Sequence, residues 1–276
     1  MTNILKAACI QTNSGPEIEG NLKQIETAIR EAHKQGAQFI ALPENVCVMT
    51  RGREKIIARA RSEAEHPGIP FFKRMAKETG SWIMGGSLAI ALGHEKLANR
   101  SYLFNPQGEV AATYDKIHMF DADIGAGEKY RESEVFKGGN RAVAATTPWG
   151  KIGLTICYDL RFPHLFRALA KAGAFLITVP AAFTVPTGQM HWHVLLRARA
   201  IETGGFILAP AQCGVHDGGR HTYGHSLIID PSGHILAEGD SEKPGIIMAD
   251  LDLAKVAEAR RMLPTLTHDC EFEKPV

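Results

Sequence analysis

The chain lacks any apolar stretch near the ~18 residues that a membrane-spanning helix needs, and it lacks an excess of charge of either sign. Its 31 basic and 30 acidic side chains leave a formal charge of +1, too little for a general attraction to nucleic acid or an anionic membrane surface. Cysteine is sparse. Cys9, Cys47, Cys157, Cys213 and Cys270 are odd in number and scattered, with no CxxC. That argues against a disulfide framework or zinc ribbon and fits a reducing compartment. The segment VHDGGRHTYGH offers His216, His221 and His225 without HExxH or paired Cys/His spacing, so no metal is expected there. Gly138-Gly139 and Gly218-Gly219 lack the GK[ST] or GxxG context of a phosphate loop. The opening MTNILKAACIQT has neither a basic leader nor an apolar core of signal-peptide length, and a cytoplasmic location is expected.

What is present is the composition of a folded domain, 45% hydrophobic and 22% charged. No short repeat, low-complexity tract or Ser/Gly linker interrupts it, so residues 1–276 are expected to form one domain. Apolar residues at helical spacing predict helices over 17–35, 51–65, 70–79, 191–203 and 253–262. In the second of these, basic residues are interleaved with acids, which reads as a solvated face. Short β-rich runs predict strands over 5–11, 38–42, 82–91, 142–146, 175–180, 206–211 and 246–250. Hairpins are expected about Pro106–Glu109 and about Pro231–Gly233. From 118 to 139 periodicity fades, as in a functional loop or a disordered segment. Helices alternating with strands and hairpins predict layered sheet with helices outside.

The chain is organised around KIGLTICYDLRFP, residues 151–163. An apolar strand stops abruptly at Cys157, and a helical pattern follows Pro163. A strand ending in a sharp turn into a helix exposes a nucleophile well, and backbone N–H groups just after it can stabilise an oxyanion. Two other strands end on charge. Glu44 follows the apolar FIALP run, and Lys116 closes VAATYDK. An ammonium beside a thiol favours the thiolate, and a carboxylate can take the thiol proton and pass it to a leaving amine. All three lie at strand ends, where an α/β sheet gathers functional groups.

LPE at Leu42–Glu44, DKIH at Asp115–His118 and CYDLRFP at Cys157–Pro163 resemble, in order and spacing, the three signatures of the nitrilase superfamily of carbon–nitrogen hydrolases. AAFTVPTG at 181–188, LLRARAIET at 195–203, AQCG at 211–214 and YGHSLIIDPSG at 223–233 lean toward the branch that includes deaminated glutathione amidase and ω-amidase. The resemblance implies a four-layer αββα sandwich of two mixed sheets, subunits pairing through helical layers as a homodimer or larger, and a small-molecule amide substrate. It also implies that Glu44 is the general base, Lys116 supports the tetrahedral intermediate and Cys157 is the nucleophile, with no cofactor and no metal. Glu132 matches a second carboxylate, with Glu128 and Glu134 as neighbouring competitors. The Tyr158 N–H is expected in the oxyanion hole. Arg161 is a candidate contact for a substrate carboxylate or a structural tie, while Arg197 and Arg199 are expected to be structural. An ω-amidase acting on α-ketoglutaramate, hydrolysis of N-carbamoyl or aliphatic amides, and a catalytically silent scaffold are the alternatives. In one departure, His193 stands after Trp192 where relatives commonly carry an acid.

Overall fold

The computed structural model describes residues 3–93, 96–125 and 128–273. Two six-stranded mixed sheets carry the fold. The first runs in the order Gly245–Asp252, Ile4–Gln11, Phe39–Ala41, Trp82–Ala91, Leu97–Phe104, Val110–Asp115. The second runs Ile235–Glu238, Leu227–Ile229, Phe206–Ala209, Ala174–Thr178, Gly150–Leu154, Val143–Thr147. Each sheet has three neighbouring parallel strands and antiparallel flanks.

Period-two alternation decides which side chain meets which layer. In the opening strand Leu5, Ala7 and Cys9 join the core shared with Leu154, Leu176 and Phe206 of the second sheet. Ala8 and Ile10 face the other way, with Ile25, Ile29, Phe72 and Met75. These last belong to helices α1 (Ile18–Lys34) and α3 (Gly68–Thr79), which cover the outer face of the first sheet. Helices α4 (Pro163–Lys171) and α5 (Val185–Thr203) bury Leu165, Phe166, Leu169, Trp192 and Leu196 on the second. The expected αββα order of layers is therefore present. Glu17 gives α1 no side-chain N-cap bond, a loss of about 1 kcal/mol. Burying Ile25 and Ile29 contributes about 1.5–3 kcal/mol each, so packing rather than capping holds the helix.

Several boundaries differ from the sequence expectation. Helix α2 (Arg53–Arg59) is only two turns long. Helix α5 starts six residues early because Pro186 sits in its first turn, where a missing N–H costs nothing. The 118–139 segment, of which residues 126 and 127 lie outside the described residues, holds a small ladder, Asp121–Asp123 with Lys129–Arg131. A single turn, Glu132–Glu134, follows it. A hairpin of Cys213–Val215 with His221–Tyr223 had no legible signal. Among the described residues no helix is long and apolar enough to cross a membrane.

Candidate active site

Three of the anticipated groups lie just beyond the carboxyl ends of strands. Glu44 follows Phe39–Ala41 and is held at the backbone from several sides. Ser87 N–H donates to Pro43 O at 3.2 Å, Asn45 N–H donates to Ser87 Oγ at 3.0 Å, and Gln212 Nε2 donates to Glu44 O at 3.0 Å. Lys116 follows Val110–Asp115, and its N–H donates to Asn99 O at 2.9 Å. Cys157 follows Gly150–Leu154 on a tight turn, with φ of 48°, a left-handed backbone uncommon for a non-glycine residue. Its own N–H is taken by Pro180 O at 2.9 Å. The next N–H along, that of Tyr158, is thereby the nearer candidate for an oxyanion.

The turn is fixed by Asp159, which is fully buried. Its carboxylate accepts from Ile156 N–H at 2.9 Å, His118 N–H at 3.1 Å and Tyr114 Oη at 2.6 Å, and His118 Nδ1 lies 2.7 Å away. One side chain thus ties the segment after Lys116 to the turn that carries Cys157. In sequence, Asp159 was only a letter inside a motif.

At the centre, Lys116 is 2% exposed. Its Nζ donates to Glu44 Oε1 at 3.0 Å and to both oxygens of Glu132 at 3.0 and 2.8 Å. Glu132 also accepts from Phe120 N–H at 2.6 Å, and Asn99 Nδ2 donates to Glu44 Oε1 at 2.8 Å and to Glu132 Oε1 at 3.3 Å. Of the three glutamates in that segment, Glu132 reaches the lysine, whereas Glu128 accepts from Tyr130 Oη at 3.0 Å. Cys157 lies close enough to Glu44 that each shifts the other's protonation.

Burial pushes the Glu44 carboxyl up, but the Lys116 ammonium, helped by the neighbouring thiol and Arg220, outweighs it and holds it below the ordinary carboxylate range. Burial would lower Lys116, and the charges of Glu132 and Glu44 reverse that, so it stays an ammonium. Cys157 goes the other way. Burial first, then the Glu44 charge, raise it well above its usual value against the pull of Lys116. The expected pull of the ammonium toward the thiolate is present but outweighed. With the residue 8% exposed and a carboxylate beside it, the sulfur rests as a thiol, and attack needs a base.

A cavity of about 390 Å³ opens over these groups, walled by Phe120, Tyr130, Tyr158 and Phe183 and by several cations. Arg161 lies in that wall, its guanidinium 5.4 Å from the Phe183 ring and 3.2 Å from His191 Nδ1. No carboxylate among the described residues pairs with it. Arg220, which sequence reasoning passed over, also lines the cavity. It donates to Ala182 O at 2.9 Å and lies 5.8 Å over Tyr130, and its buried Nε finds no partner among the described residues. Its one signal in the sequence is an arginine directly after Gly218-Gly219, in a loop rather than on a helix face. Arg51, Arg53 and Arg59 border the mouth, so the stretch read as merely solvated is part of the cavity wall. Arg197 donates to Gly233 O and Arg199 to Leu160 O, structural ties as expected. His193 does not line the cavity and meets Glu238 instead.

The pattern of the family described as "Carbon-nitrogen hydrolase" matches residues 6–261. The chain belongs to that family. A deaminated glutathione amidase of Synechocystis sp. is 40% identical over 95% of this carbon-nitrogen hydrolase and 97% of its own length. The C. elegans NitFhit protein superposes with a TM-score of 0.88 at 32% identity over 97% of this chain, which spans 65% of that one. The amidase of Nesterenkonia sp. AN1 superposes with a TM-score of 0.79 at 28% identity, over 94% of this chain and 98% of that one. That structure is of a glutamate-to-glutamine mutant with acrylamide added at its active-site cysteine. This carbon-nitrogen hydrolase is accordingly an amidase by family.

Proposed function

We propose that this amidase hydrolyses the terminal carboxamide of a small, carboxylate-bearing substrate, deaminated glutathione, through a thioester on Cys157. The observation that carries the reading is one buried cluster: Lys116 Nζ donates to Glu44 Oε1 at 3.0 Å, and the Cys157 thiol lies close enough to Glu44 for the carboxylate charge to raise it. The substrate is suggested by the relatives named above and by two arginines, Arg161 and Arg220, in the cavity wall.

Glu44 takes the thiol proton as Sγ attacks the carbonyl carbon. The oxyanion forms against Lys116 Nζ and Tyr158 N–H. Lys116, already an ammonium locked between Glu44 and Glu132, needs no reorganisation at that moment, which is where such a donor is worth most. Glu44 then returns the proton to the nitrogen, the C–N bond breaks and ammonia leaves. Water attacks the thioester with Glu44 as base, releasing the acid and restoring the thiol. Glu132 acts as the residue that positions Lys116. Thiol, carboxylate and ammonium supply nucleophile, base and oxyanion donor between them, so the chemistry draws on no metal or organic cofactor.

Residues 1–276 act as one catalytic domain in this reading, and two copies pair through α5 and α6 (Ala254–Met262). Met190, Val194 and Ile201 are exposed along one face of α5, and Met262 and Leu263 at the end of α6. Arg260 Nε donates to Thr203 O at 3.1 Å and brings the two helix ends together. Apolar groups gathered like this mark an interaction surface.

Ammonia release from deaminated glutathione, α-ketoglutaramate, an N-carbamoyl amino acid and an aliphatic amide tests the reading. Deaminated glutathione should be turned over best, and Cys157→Ala should abolish every activity while the protein stays folded. A better amide in the panel removes the substrate assignment. Full turnover by Cys157→Ala removes the mechanism.

A further inference from the structure

Outside the cavity, His193 meets two other ligating groups. His193 projects from α5, His225 precedes the strand Leu227–Ile229, and Glu238 ends the strand Ile235–Glu238. His193 Nε2 lies 2.9 Å and His225 Nδ1 2.7 Å from the same oxygen, Glu238 Oε1. The ligand atoms of the three residues all fall within 4.8 Å of one another. We propose that His193, His225 and Glu238 form a binding site for a transition-metal dication of the zinc class, separate from the catalytic cavity.

The donor set selects the class. Two imidazole nitrogens and one carboxylate oxygen suit Zn²⁺, Co²⁺, Ni²⁺ or Cu²⁺, whereas Mg²⁺ and Ca²⁺ favour oxygen alone. Bonds of about 2.0–2.1 Å in a tetrahedron place neighbouring ligand atoms roughly 3.3 Å apart. From the hydrogen-bonded distances, each imidazole need withdraw from the carboxylate by only about half an ångström. Three protein ligands leave a fourth position for water. The side chains of His193, His225 and Glu238 are 30%, 25% and 37% exposed, so an ion can reach them from solvent.

The site is also held in place. His225 has φ of 51°, a conformation that persists in a non-glycine residue only when its surroundings impose it. Its N–H donates to Asp240 O at 3.1 Å, and its carbonyl accepts from Trp192 Nε1 at 2.7 Å. Trp192 is fully buried and adjoins His193, so one hydrogen bond fixes the backbone of both histidines. The Tyr223 ring lies against His225, with centroids 4.4 Å apart, and meets His193 edge-on. Among the described residues the other loop histidines lack a third ligand: His216 spends both nitrogens on Ser14 O and Thr222 Oγ1, and His221 meets Glu242.

Calorimetric titration of chelator-treated full-length protein with Zn²⁺, and of a parallel sample with Co²⁺ followed by visible absorption, tests the site. Expected are one equivalent per chain and a cobalt spectrum of nitrogen and oxygen ligands. His193→Gln and Glu238→Gln, on different elements, should each weaken binding by at least about tenfold. Cys157→Ala should bind as the wild type does. Absence of binding, binding that survives both substitutions, loss of binding in Cys157→Ala, or a sulfur-to-cobalt charge-transfer band would each overturn the proposal.

Discussion

Tyr114 Oη donates a 2.6 Å hydrogen bond to Asp159 Oδ2, and so ties the edge strand of the first sheet to the turn that carries Cys157. Both residues are buried, so neither can exchange this bond for water. Tyr114→Phe should cost about 1–3 kcal/mol, the usual penalty for stranding a buried acceptor. It should lower kcat more than it raises KM, because Lys116 and Cys157 lose their common anchor while the cavity wall stays. Asp159→Ala removes the acceptor for every one of these bonds and should cost more. Denaturant midpoints together with steady-state kinetics check both. Tyr114→Phe with wild-type stability and kcat would show that the tie does not matter.

Gly86 carries a sharper constraint. It has φ of +64°, and a Cβ built on it would lie 2.0 Å from Pro43 O and 3.0 Å from Leu42 O. Those carbonyls belong to the chain that delivers Glu44, and backbone cannot swing aside as a long side chain can. Gly86→Ala should therefore destabilise by more than about 4 kcal/mol or leave the protein insoluble. Thermal unfolding of whatever soluble material is recovered is the readout. A shift of only a degree or two would mean that the loop yields.

His66 and His216 make the fold sensitive to mild acid. Burial pushes both down to about 4, and His66 is lowered further by the Arg61 charge. In the unfolded chain they titrate near 6.5. The unfolded state therefore binds more protons between those values, and stability falls as pH falls. The contribution is fully present above pH ~6.5 and is lost on the way down to pH ~4, up to about 3 kcal/mol for each histidine. His66 Nδ1 accepts from Gly68 N–H, a bond that protonation breaks. Urea midpoints measured at pH 7.5, 6 and 5 should fall in that order. A flat series would remove both histidines from the argument.

The catalytic geometry was legible wherever strand chemistry announces it. An apolar run stopping on Glu44, Lys116 or Cys157 shows in the letters, because burial of a charge or a nucleophile at a strand end needs a reason. Where periodicity fails, the letters left choices open. Glu132 was preferred only through the resemblance, with Glu128 and Glu134 as competitors, and it is Glu132, at the start of the turn Glu132–Glu134, that meets Lys116. The stretch 51–65 alternates charge, and alternation cannot tell which side of a two-turn helix borders a cavity. Nor can sequence weigh desolvation against a neighbouring ammonium. Lys116 was expected to favour the thiolate, and burial of Cys157 beside Glu44 outweighs it.

Arg220 should decide which amides are accepted. Its Nε is buried without a partner among the described residues, an arrangement that costs free energy unless a ligand completes it. A substrate carboxylate would do so, and a hydrogen bond to a charged group is worth about 1.5–3 kcal/mol. Arg220→Gln should therefore lower kcat/KM for a carboxylate-bearing amide by about 10- to 100-fold, mainly through KM. A small neutral amide should lose little. Arg161→Gln should have a smaller effect, since Arg161 already lies against Phe183 and His191. The Arg220 charge also helps hold the Glu44 carboxyl down. If Arg220 acts through Glu44 instead, both substrates will lose rate alike and the acid limb of the pH–rate profile will move upward. Kinetics on the two amides across pH 5–8 separate the cases, and equal losses on both would end the assignment of Arg220 to substrate recognition.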